Sequence, residues 1–193
     1  WYRMGDKTYP LSHNRIRHIY EDKEQQLWIA TDGSINRYDY ATRQFIHYNI
    51  VDNTGTYNTN WTYYIFEDTA GQLWISTCLG GIFVVDKRKL MQSTSGQYIA
   101  EQNYSVHNGL SGMFINQIIP DNEGNVWVLL YNNKGIDKIN PRTREVTKLF
   151  ADELTGEKSP NYLLCDEDGL LWVGFHGGVM RINPNDESQQ SIS

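Results

Sequence analysis

The sequence predicts an all-β protein made of β-propeller blades, each a four-stranded antiparallel sheet, with about four blades in the chain. The first observation behind this is a motif that recurs four times, in which a tryptophan follows an aspartate by six positions. The pairs are Asp22–Trp28, Asp68–Trp74, Asp121–Trp127 and Asp166–Trp172, and successive tryptophans are 46, 53 and 45 residues apart. Self-similarity at a period of ~40–50 residues is typical of stacked or radially arranged units.

The second observation is that the tryptophan segments do not alternate apolar with polar residues. Residues 27–29 read Leu-Trp-Ile and residues 126–130 read Val-Trp-Val-Leu-Leu. Both faces of such a strand must be buried, which in an antiparallel fold requires a sheet packed on each side. A propeller meets this requirement because every blade lies between two others.

The third observation is that each copy contains the same succession of short strands and turns. A first apolar strand is predicted at 16–19, 62–66, 115–119 and 162–164, followed by an acidic turn and the tryptophan strand at 27–29, 73–75, 126–128 and 171–173. A loop with small or polar residues then leads to a third strand that ends at Asp39, Asp86, Asn140 or Asn183. A more variable fourth strand is clearest at 44–48 and 145–149. Strands of about five residues between regular turn signals indicate an all-β fold, and no window predicts an amphipathic helix.

These boundaries give repeat cores at approximately 14–50, 60–90, 113–150 and 160–185 within one propeller segment, 1–193. The segment between the second and third copies, 91–114, is enlarged, and a polar aromatic stretch covers 52–61. Connections that exceed the minimum length are where function tends to lie.

The turn before each tryptophan has a physical explanation. The aspartate can accept hydrogen bonds from backbone N–H groups of a tight turn, and a glycine midway can supply a positive φ. Three copies carry that glycine, at Gly71, Gly124 and Gly169, whereas the first carries Gln25. A buried tryptophan also needs an acceptor for its indole N–H.

Composition excludes several classes of function. The net charge is -6 with no cluster of basic residues, so we expect no nucleic-acid partner. No apolar stretch approaches the ~18 residues of a membrane span. The five histidines have no metal-ligand spacing, the acidic turns lack a complete calcium motif, and we expect neither metal nor cofactor. Cys78 and Cys165 lie two repeats apart, and we expect no disulfide between them.

At this point the pattern resembles the two-component regulator propeller repeat, which reads approximately I-x-x-I-x-x-D-x-x-G-x-L-W-I-G-T after a leucine–serine lead-in. The matching positions are Leu11-Ser12, Ile16, Ile19, Asp22 and 27–31 in the first copy; Ile65, Asp68, Gly71 and 73–77 in the second; Leu110-Ser111, Ile115, Ile118, Asp121, Gly124 and 126–128 in the third; and Asp166, Gly169 and 171–174 in the fourth. The departures are Gln25, Ala30 and Ser76 for glycines, and Leu129-Leu130 for Gly-Thr.

The resemblance implies a function as well as a fold. In that family the repeats form the periplasmic sensor region of hybrid two-component histidine kinases, of the type found in Bacteroidetes, which detect oligosaccharides released from glycans. The family has more repeats than four, so we expect a fragment of a larger propeller. The alternative is that Trp1-Tyr2 completes the last blade and four blades close. We expect the membrane to be reached only through other parts of the full-length protein, and self-association through open blade faces or as a receptor dimer.

The candidate binding residues are those predicted on one propeller face, where the loops before the first strand and after the second strand emerge. They are Asp32, Asn60, Trp61, Tyr131, Asn132 and His176, with Asn14 and Asn161 close by. An aromatic plate with amide and carboxylate groups suits a sugar. The competing interpretation is that Trp61 packs within its blade and the asparagines only shape turns.

Two other functions remain as alternatives. Propeller folds include hydrolases and lyases that act on glycans, although no paired carboxylates, Ser-His-Asp or Cys-His arrangement stands out here. A protein-binding scaffold is the second alternative. The leading hypothesis is a non-catalytic sensor segment with no catalytic residues.

Overall fold

The computed structural model describes residues 2–5, 10–131, 135–149 and 160–184, and the backbone of 189–192. The chain divides into two compact units, Trp1–Tyr104 (unit 1) and Ser105–Ser193 (unit 2). Each is described by itself.

Unit 1 begins with a four-stranded antiparallel sheet. Its strands are β1 (Ile16–Glu21), β2 (Leu27–Thr31), β3 (Ser34–Asp39) and β4 (Gln44–Tyr48), hydrogen-bonded in the order β1-β2-β3-β4. A register shift between Ile16 and His18 marks a bulge at the start of β1. Equivalent shifts recur at the start of the first strand in the other three sheets.

The second sheet of unit 1 contains β6 (Thr62–Glu67), β7 (Gln72–Thr77), β8 (Ile82–Asp86) and β10 (Gln102–Tyr104), in the order β10-β8-β7-β6. Its outer strand begins well after the predicted core ends at residue 90. A short helix, α1 (Lys87–Gln92), and a two-residue strand, β9 (Tyr98–Ile99), come first. Strand β9 pairs in parallel with β5 (Ile50–Val51), which ties the enlarged segment to the linker between the sheets.

Helix α1 was not predicted. The side chain of Asp86, the residue that ends β8, accepts a hydrogen bond from Lys89 N at 3.0 Å and caps the helix. With only six residues, the helix is too short to show a helical period in the sequence.

Unit 2 repeats the architecture. Its sheets are formed by β11 (Ile115–Pro120), β12 (Val126–Leu130), β13 (Ile136–Ile139) and β14 (Val146–Leu149), and by β15 (Pro160–Cys165), β16 (Leu171–Phe175), β17 (Gly178–Ile182) and β18 (Gln189–Ile192). Both are antiparallel with sequential strand order. A 3₁₀ turn at Val106–Asn108 precedes them. Within the described residues, the predicted four-stranded blades are therefore confirmed.

The four repeat tryptophans pack into the two units to different extents. Trp28, Trp74 and Trp127 are at most 1% exposed, whereas Trp172 on the last tryptophan strand is half-buried. In unit 1, Trp28 belongs to a cluster with Ile65 and Leu73 of the neighbouring sheet. In the first three tryptophan strands, residues on both faces are buried, as the absence of alternation predicted.

Each repeat aspartate has two separate tasks. In the first copy, Asp22 Oδ1 accepts hydrogen bonds from the N–H groups of Glu24 and Gln26, at 2.9 and 2.8 Å, which closes the turn. Its Oδ2 accepts the indole N–H of Trp28 at 2.9 Å. The same indole bond measures 2.9, 3.1 and 2.6 Å in the later copies. The six-residue spacing thus satisfies both the turn and the buried ring.

The leucine–serine lead-in also has a structural reason. Leu11 and Leu110 are buried, 7% and 3% exposed. Ser12 N donates to Asn36 Oδ1 at 3.0 Å, and Asn36 Nδ2 donates to Ser12 Oγ at 2.8 Å. In unit 2 the partner of Ser111 is Asp137, which accepts both Ser111 N–H and Ser111 Oγ–H at 2.7 Å. The lead-in is therefore fastened to the middle of the third strand.

Candidate functional site

Trp61 lies at one edge of unit 1, directly before β6, in an unusual backbone conformation. Its φ is 56°, in the left-handed region that bulky side chains rarely adopt. Two hydrogen bonds hold the residue there: Trp61 N–H donates to the Asp32 carbonyl, and Cys78 N–H donates to the Trp61 carbonyl, both at 3.0 Å. Strain of this kind persists only where the surrounding structure imposes it, and it concentrates at functional sites.

The side chain of Trp61 differs from the repeat tryptophans in two ways. It is 46% exposed, and within the described residues no hydrogen bond engages its indole N–H. The four repeat tryptophans instead donate to an aspartate. The ring is therefore available to a ligand.

An open cleft of about 280 Å³ lies beside this ring. It is lined by Thr56, Tyr57, Asn58, Asn60, Trp61, Leu79 and Gly80. Gly80 allows the cleft wall to form, because a Cβ there would lie 2.8 Å from the Asn58 carbonyl and 2.9 Å from the Phe83 ring. The side chain of Leu79 is 54% exposed, so the lining offers a second apolar surface.

Asp32 lies under this edge and supports it. Its carboxylate is 4% exposed and pairs with Arg17, at 2.7 Å, and with Arg15, at 3.3 Å. Burial disfavours the charged form, but the hydrogen bond and charge of Arg17 outweigh it and hold the pKa of Asp32 below its ordinary value. The guanidinium of Arg17 also lies over the Tyr63 ring, 4.5 Å from its centroid. The Asp32 side chain is thus occupied, and its carbonyl holds Trp61.

Unit 2 has a related edge. Tyr131 is 56% exposed, and its N–H donates to the Phe114 carbonyl at 3.0 Å, the bond that Cys78 makes to Trp61 in unit 1. Phe114, 41% exposed, therefore stands at the position equivalent to Trp61. His176 is exposed after β16, and Asn132 lies outside the described residues.

The structure thus distributes the predicted binding residues over both units. Asn60 and Trp61 line one cleft, with Asp32 beneath it, while Tyr131 and His176 belong to unit 2. Sequence reasoning missed Tyr57, Leu79 and Phe114. Tyr57 lies in the polar aromatic stretch 52–61, whereas Leu79 and Phe114 gave no signal beyond an apolar residue next to a strand.

Outside this edge, a buried lysine of unit 1 has structural partners. In unit 1, Lys87 is 2% exposed, and its Nζ lies 2.8 Å from Glu67 Oε1, 3.0 Å from Asp22 Oδ2 and 3.4 Å from Glu24 Oε2. Within the described part of the chain, no group of three His, Cys, Asp or Glu side chains is arranged to hold a metal, and both cysteines are free. No helix in that part is long and apolar enough to cross a bilayer.

The repeats of this chain are similar to those of a known protein family. The family model described as two-component regulator propeller matches residues 10–33 and 109–132, the lead-in and tryptophan strand of the first and third copies. No curated protein matches the sequence.

Solved structures give stronger likenesses. The extracellular domain of BT4673 from B. thetaiotaomicron, named a hybrid two-component system in one structure and a one-component system in another, is 99% identical over 100% of this chain, with a TM-score of 0.96. The chain spans 26% of that solved chain. The extracellular domain of the hybrid two-component system BT3049 from the same organism is 20% identical, with a TM-score of 0.74, over 99% of this chain and 26% of that one.

A streptogramin B lyase shares the fold alone, at 17% identity and a TM-score of 0.71, over 96% of this chain and 57% of the lyase. Together these findings confirm the predicted propeller fold and the predicted extracytoplasmic location.

Proposed function

We propose that this chain, whose residues 10–33 and 109–132 match the two-component regulator propeller family, is a non-catalytic sensor segment that binds a glycan-derived oligosaccharide at the cleft beside Trp61. Binding alters how neighbouring blades sit, and the change is relayed to a histidine kinase elsewhere in the full-length protein. The name of the 99% identical solved chain, a hybrid two-component system, supports the relay.

The observation that carries the proposal is the conformation and exposure of Trp61. A tryptophan that only packed within its blade would be buried and would need no left-handed backbone. Here the ring is 46% exposed, and two main-chain hydrogen bonds hold a φ of 56°. Sugar rings present C–H faces that an aromatic ring can cover, and the amides of Asn58 and Asn60 line the same cleft for the hydroxyl groups.

A link from the cleft to the rest of unit 1 supports the relay. The main chain of Trp61 bonds to Asp32, after β2, and to Cys78, after β7. Asp32 lies in the β2–β3 loop of the first sheet and Cys78 in the β7–β8 loop of the second. A ligand that shifts Trp61 therefore acts on both sheets at once.

The proposal extends to self-association through a blade face of unit 2. In unit 1, His18 and Tyr20 of β1 pack against the next sheet, with the His18 ring 3.8 Å from that of Tyr64 and Tyr20 Oη accepting Glu67 N–H at 3.0 Å. The equivalent positions of β15 are Tyr162 and Leu164, which are 58% and 54% exposed. A second copy that covers this face would make sedimentation concentration-dependent, and Leu164→Lys should abolish that dependence.

The binding proposal is tested with a glycan array followed by calorimetry on wild type, Trp61→Ala and Trp61→Phe. We expect binding without turnover, a loss of about tenfold or more in affinity for Trp61→Ala, and partial retention for Trp61→Phe. Product formation without a partner would favour an enzyme. Tight protein binding with no sugar affinity would favour a scaffold, and undiminished affinity in Trp61→Ala would exclude this cleft.

A further inference from the structure

We infer that the saccharide bound at the Trp61 cleft is uncharged, carrying no uronate, sialate, sulfate or phosphate on the rings that contact the cleft; this rests on the proposed function. The cleft lining of Thr56, Tyr57, Asn58, Asn60, Trp61, Leu79 and Gly80 contains no lysine, arginine, histidine, aspartate or glutamate. Bound anionic groups need a compensating cation or several charge-assisted hydrogen bonds once they leave water. Among the described residues, the lining supplies no cation.

Two arginines at this edge, Arg15 and Arg17, already pair with Asp32. Arg17 Nε and Nη2 donate to the two oxygens of Asp32, at 2.7 and 3.3 Å, and the guanidinium covers the Tyr63 ring. Arg15 pairs with the same carboxylate at 3.3 Å. Recruiting either arginine to a ligand would weaken the pairing of an Asp32 carboxylate that is 4% exposed, and an unpaired buried charge is strongly unfavourable.

The carboxylate of Asp52, in the loop next to the cleft, is also fully hydrogen-bonded within that loop. Asp52 Oδ1 accepts Tyr57 N–H at 2.8 Å, and its Oδ2 accepts from the backbone and hydroxyl of Thr54. These bonds outweigh burial and hold the pKa of Asp52 below its ordinary value. The Asp52 carboxylate therefore shapes the loop that carries Thr56 and Tyr57, and it is not presented to a cationic ligand.

What the cleft does present matches an uncharged ring. Trp61 and Leu79 supply exposed apolar surface for C–H groups. Asn58 Oδ1 accepts the backbone N–H of Asn60 at 2.9 Å, which fixes the Asn58 amide and leaves its NH₂ group for a ligand hydroxyl. The cleft volume of about 280 Å³ lies just below the ~300–1,000 Å³ range of ligand clefts. The cleft therefore holds one or two rings, with longer chains continuing into solvent.

The test uses matched glycans that share ring configuration and linkage but differ in charge. One set is α-1,4-galactobiose, α-1,4-digalacturonic acid and its dimethyl ester; an array adds neutral glycans beside their sulfated, sialylated or uronate counterparts. We expect every Trp61-dependent hit to be neutral. Within each matched set the charged member should bind at least about tenfold more weakly than the neutral ones. Affinity should be the same at low and high salt, because no ion pair forms.

Three outcomes are decisive. Tighter binding of a charged glycan than of its neutral counterpart, lost in Trp61→Ala, overturns this inference and leaves the proposed sensor function standing. Affinity that falls steeply as salt concentration rises would likewise overturn this inference while leaving the proposed sensor function standing. No binding of either class overturns the proposed function and this inference with it. Trp61→Gly, in which the residue that accepts a positive φ replaces the exposed ring, serves as a second variant to ensure that lost binding does not reflect unfolding.

Discussion

Lys87 Nζ lies 3.0 Å from Asp22 Oδ2, and the two side chains are 2% and 0% exposed. The same oxygen accepts the Trp28 indole N–H, and Glu67 Oε1 lies 2.8 Å from the ammonium. Lys87 begins helix α1 directly after β8 of the second sheet, while Asp22 lies in the first turn of the first sheet. One buried cation thus joins the turns of both sheets in unit 1.

Replacing Lys87 by methionine should reduce the free energy of unfolding by about 3–5 kcal/mol, because Asp22 and Glu67 would remain buried without their cation. Urea denaturation measures the change. Lys89→Met is the matched control on the same helix, since the Lys89 side chain is 66% exposed and its loss should change stability by less than about 0.5 kcal/mol. Equal effects of the two substitutions would contradict the role of Lys87.

The same pair predicts a pH dependence. Burial opposes ionisation of Asp22, but hydrogen bonds from Trp28 and Gln26 and the Lys87 ammonium hold its pKa below the ordinary value. Burial likewise opposes the charge of Lys87, but Glu67 and Asp22 raise its pKa. The stabilisation from ionised Asp22 is fully present above the pKa of an unfolded aspartate and is lost as pH falls through the folded pKa. The stabilisation from charged Lys87 is fully present below the pKa of an unfolded lysine and is lost as pH rises through the folded pKa. The difference in free energy of unfolding between wild type and Lys87→Met should therefore become smaller at both extremes of a pH series of urea melts.

Asp68→Asn should separate the two tasks of a repeat aspartate. The amide oxygen can still accept the N–H groups of Ala70 and Gln72, both now at 2.9 Å, whereas the NH₂ group would face the Trp74 indole N–H. We expect a loss of about 2–3 kcal/mol, because a buried donor loses its charged acceptor. A double-mutant cycle with Trp74→Phe isolates that bond, and purely additive effects would refute it.

Gln25→Gly should stabilise the protein by about 0.5–1 kcal/mol. Gln25 has a φ of 61°, where the later copies carry Gly71, Gly124 and Gly169 at 78°, 84° and 79°. Glycine adopts this region without steric cost, although its greater freedom in the unfolded state offsets part of the gain. Gly71→Gln is the reciprocal change and should destabilise. Thermal and urea denaturation of both variants provide the check, and changes of the same sign would contradict the explanation.

Asn36 and Asp137 occupy equivalent positions beneath the serine of the lead-in, and exchanging them should have opposite effects. Asn36→Asp should cost about 3 kcal/mol near neutral pH, since the new carboxylate would be buried, face the Ile29 carbonyl and lie across from His47. Asp137 lies across from Lys148 on β14, which partly compensates its charge. Asp137→Asn should be tolerated, because the amide can make the same pair of bonds to Ser111 that Asn36 makes to Ser12.

The pH dependence of Asp137→Asn has a definite sign. Burial raises the pKa of Asp137 more than the Ser111 hydrogen bonds lower it. The stabilisation from protonated Asp137 is fully present below the pKa of an unfolded aspartate and is lost as pH rises through the folded pKa. Asp137→Asn should therefore have the same free energy of unfolding as wild type at acid pH and a higher one toward neutral pH. If Asp137→Asn is instead less stable than wild type at neutral pH and the two converge at acid pH, ionised Asp137 is stabilising.

The predictable part of this fold depends on interactions that lie close together in the sequence. Asp22 and Trp28 bond across a single turn, so their spacing is visible in every copy. The lead-in serine and Asn36 are 24 residues apart, and no local pattern reveals that they meet. Lys87 and Asp22 are 65 residues apart, and a lone lysine after a strand looks like any surface residue until the sheets are packed.

The candidate site shows the same division. The sequence predicts Trp61 as a binding residue because it ends a polar aromatic stretch, 52–61, and falls on the propeller face where loops emerge. Its backbone strain, the burial of the Asp32 carboxylate and the contribution of Leu79 depend on three loops meeting at one edge. Phe114 was missed because its likeness to Trp61 lies in a main-chain hydrogen bond, which the sequence does not display.

The contrast between Trp61 and the repeat tryptophans gives the molecule an intrinsic optical probe. Trp28, Trp74 and Trp127 are enclosed, and Trp172 is half-covered, so their fluorescence should be shielded from a dissolved quencher such as iodide. Trp61, 46% exposed, should account for most of the quenchable emission from the described tryptophans. A saccharide covering that ring would protect it from iodide, and occupancy could be followed without attaching a dye.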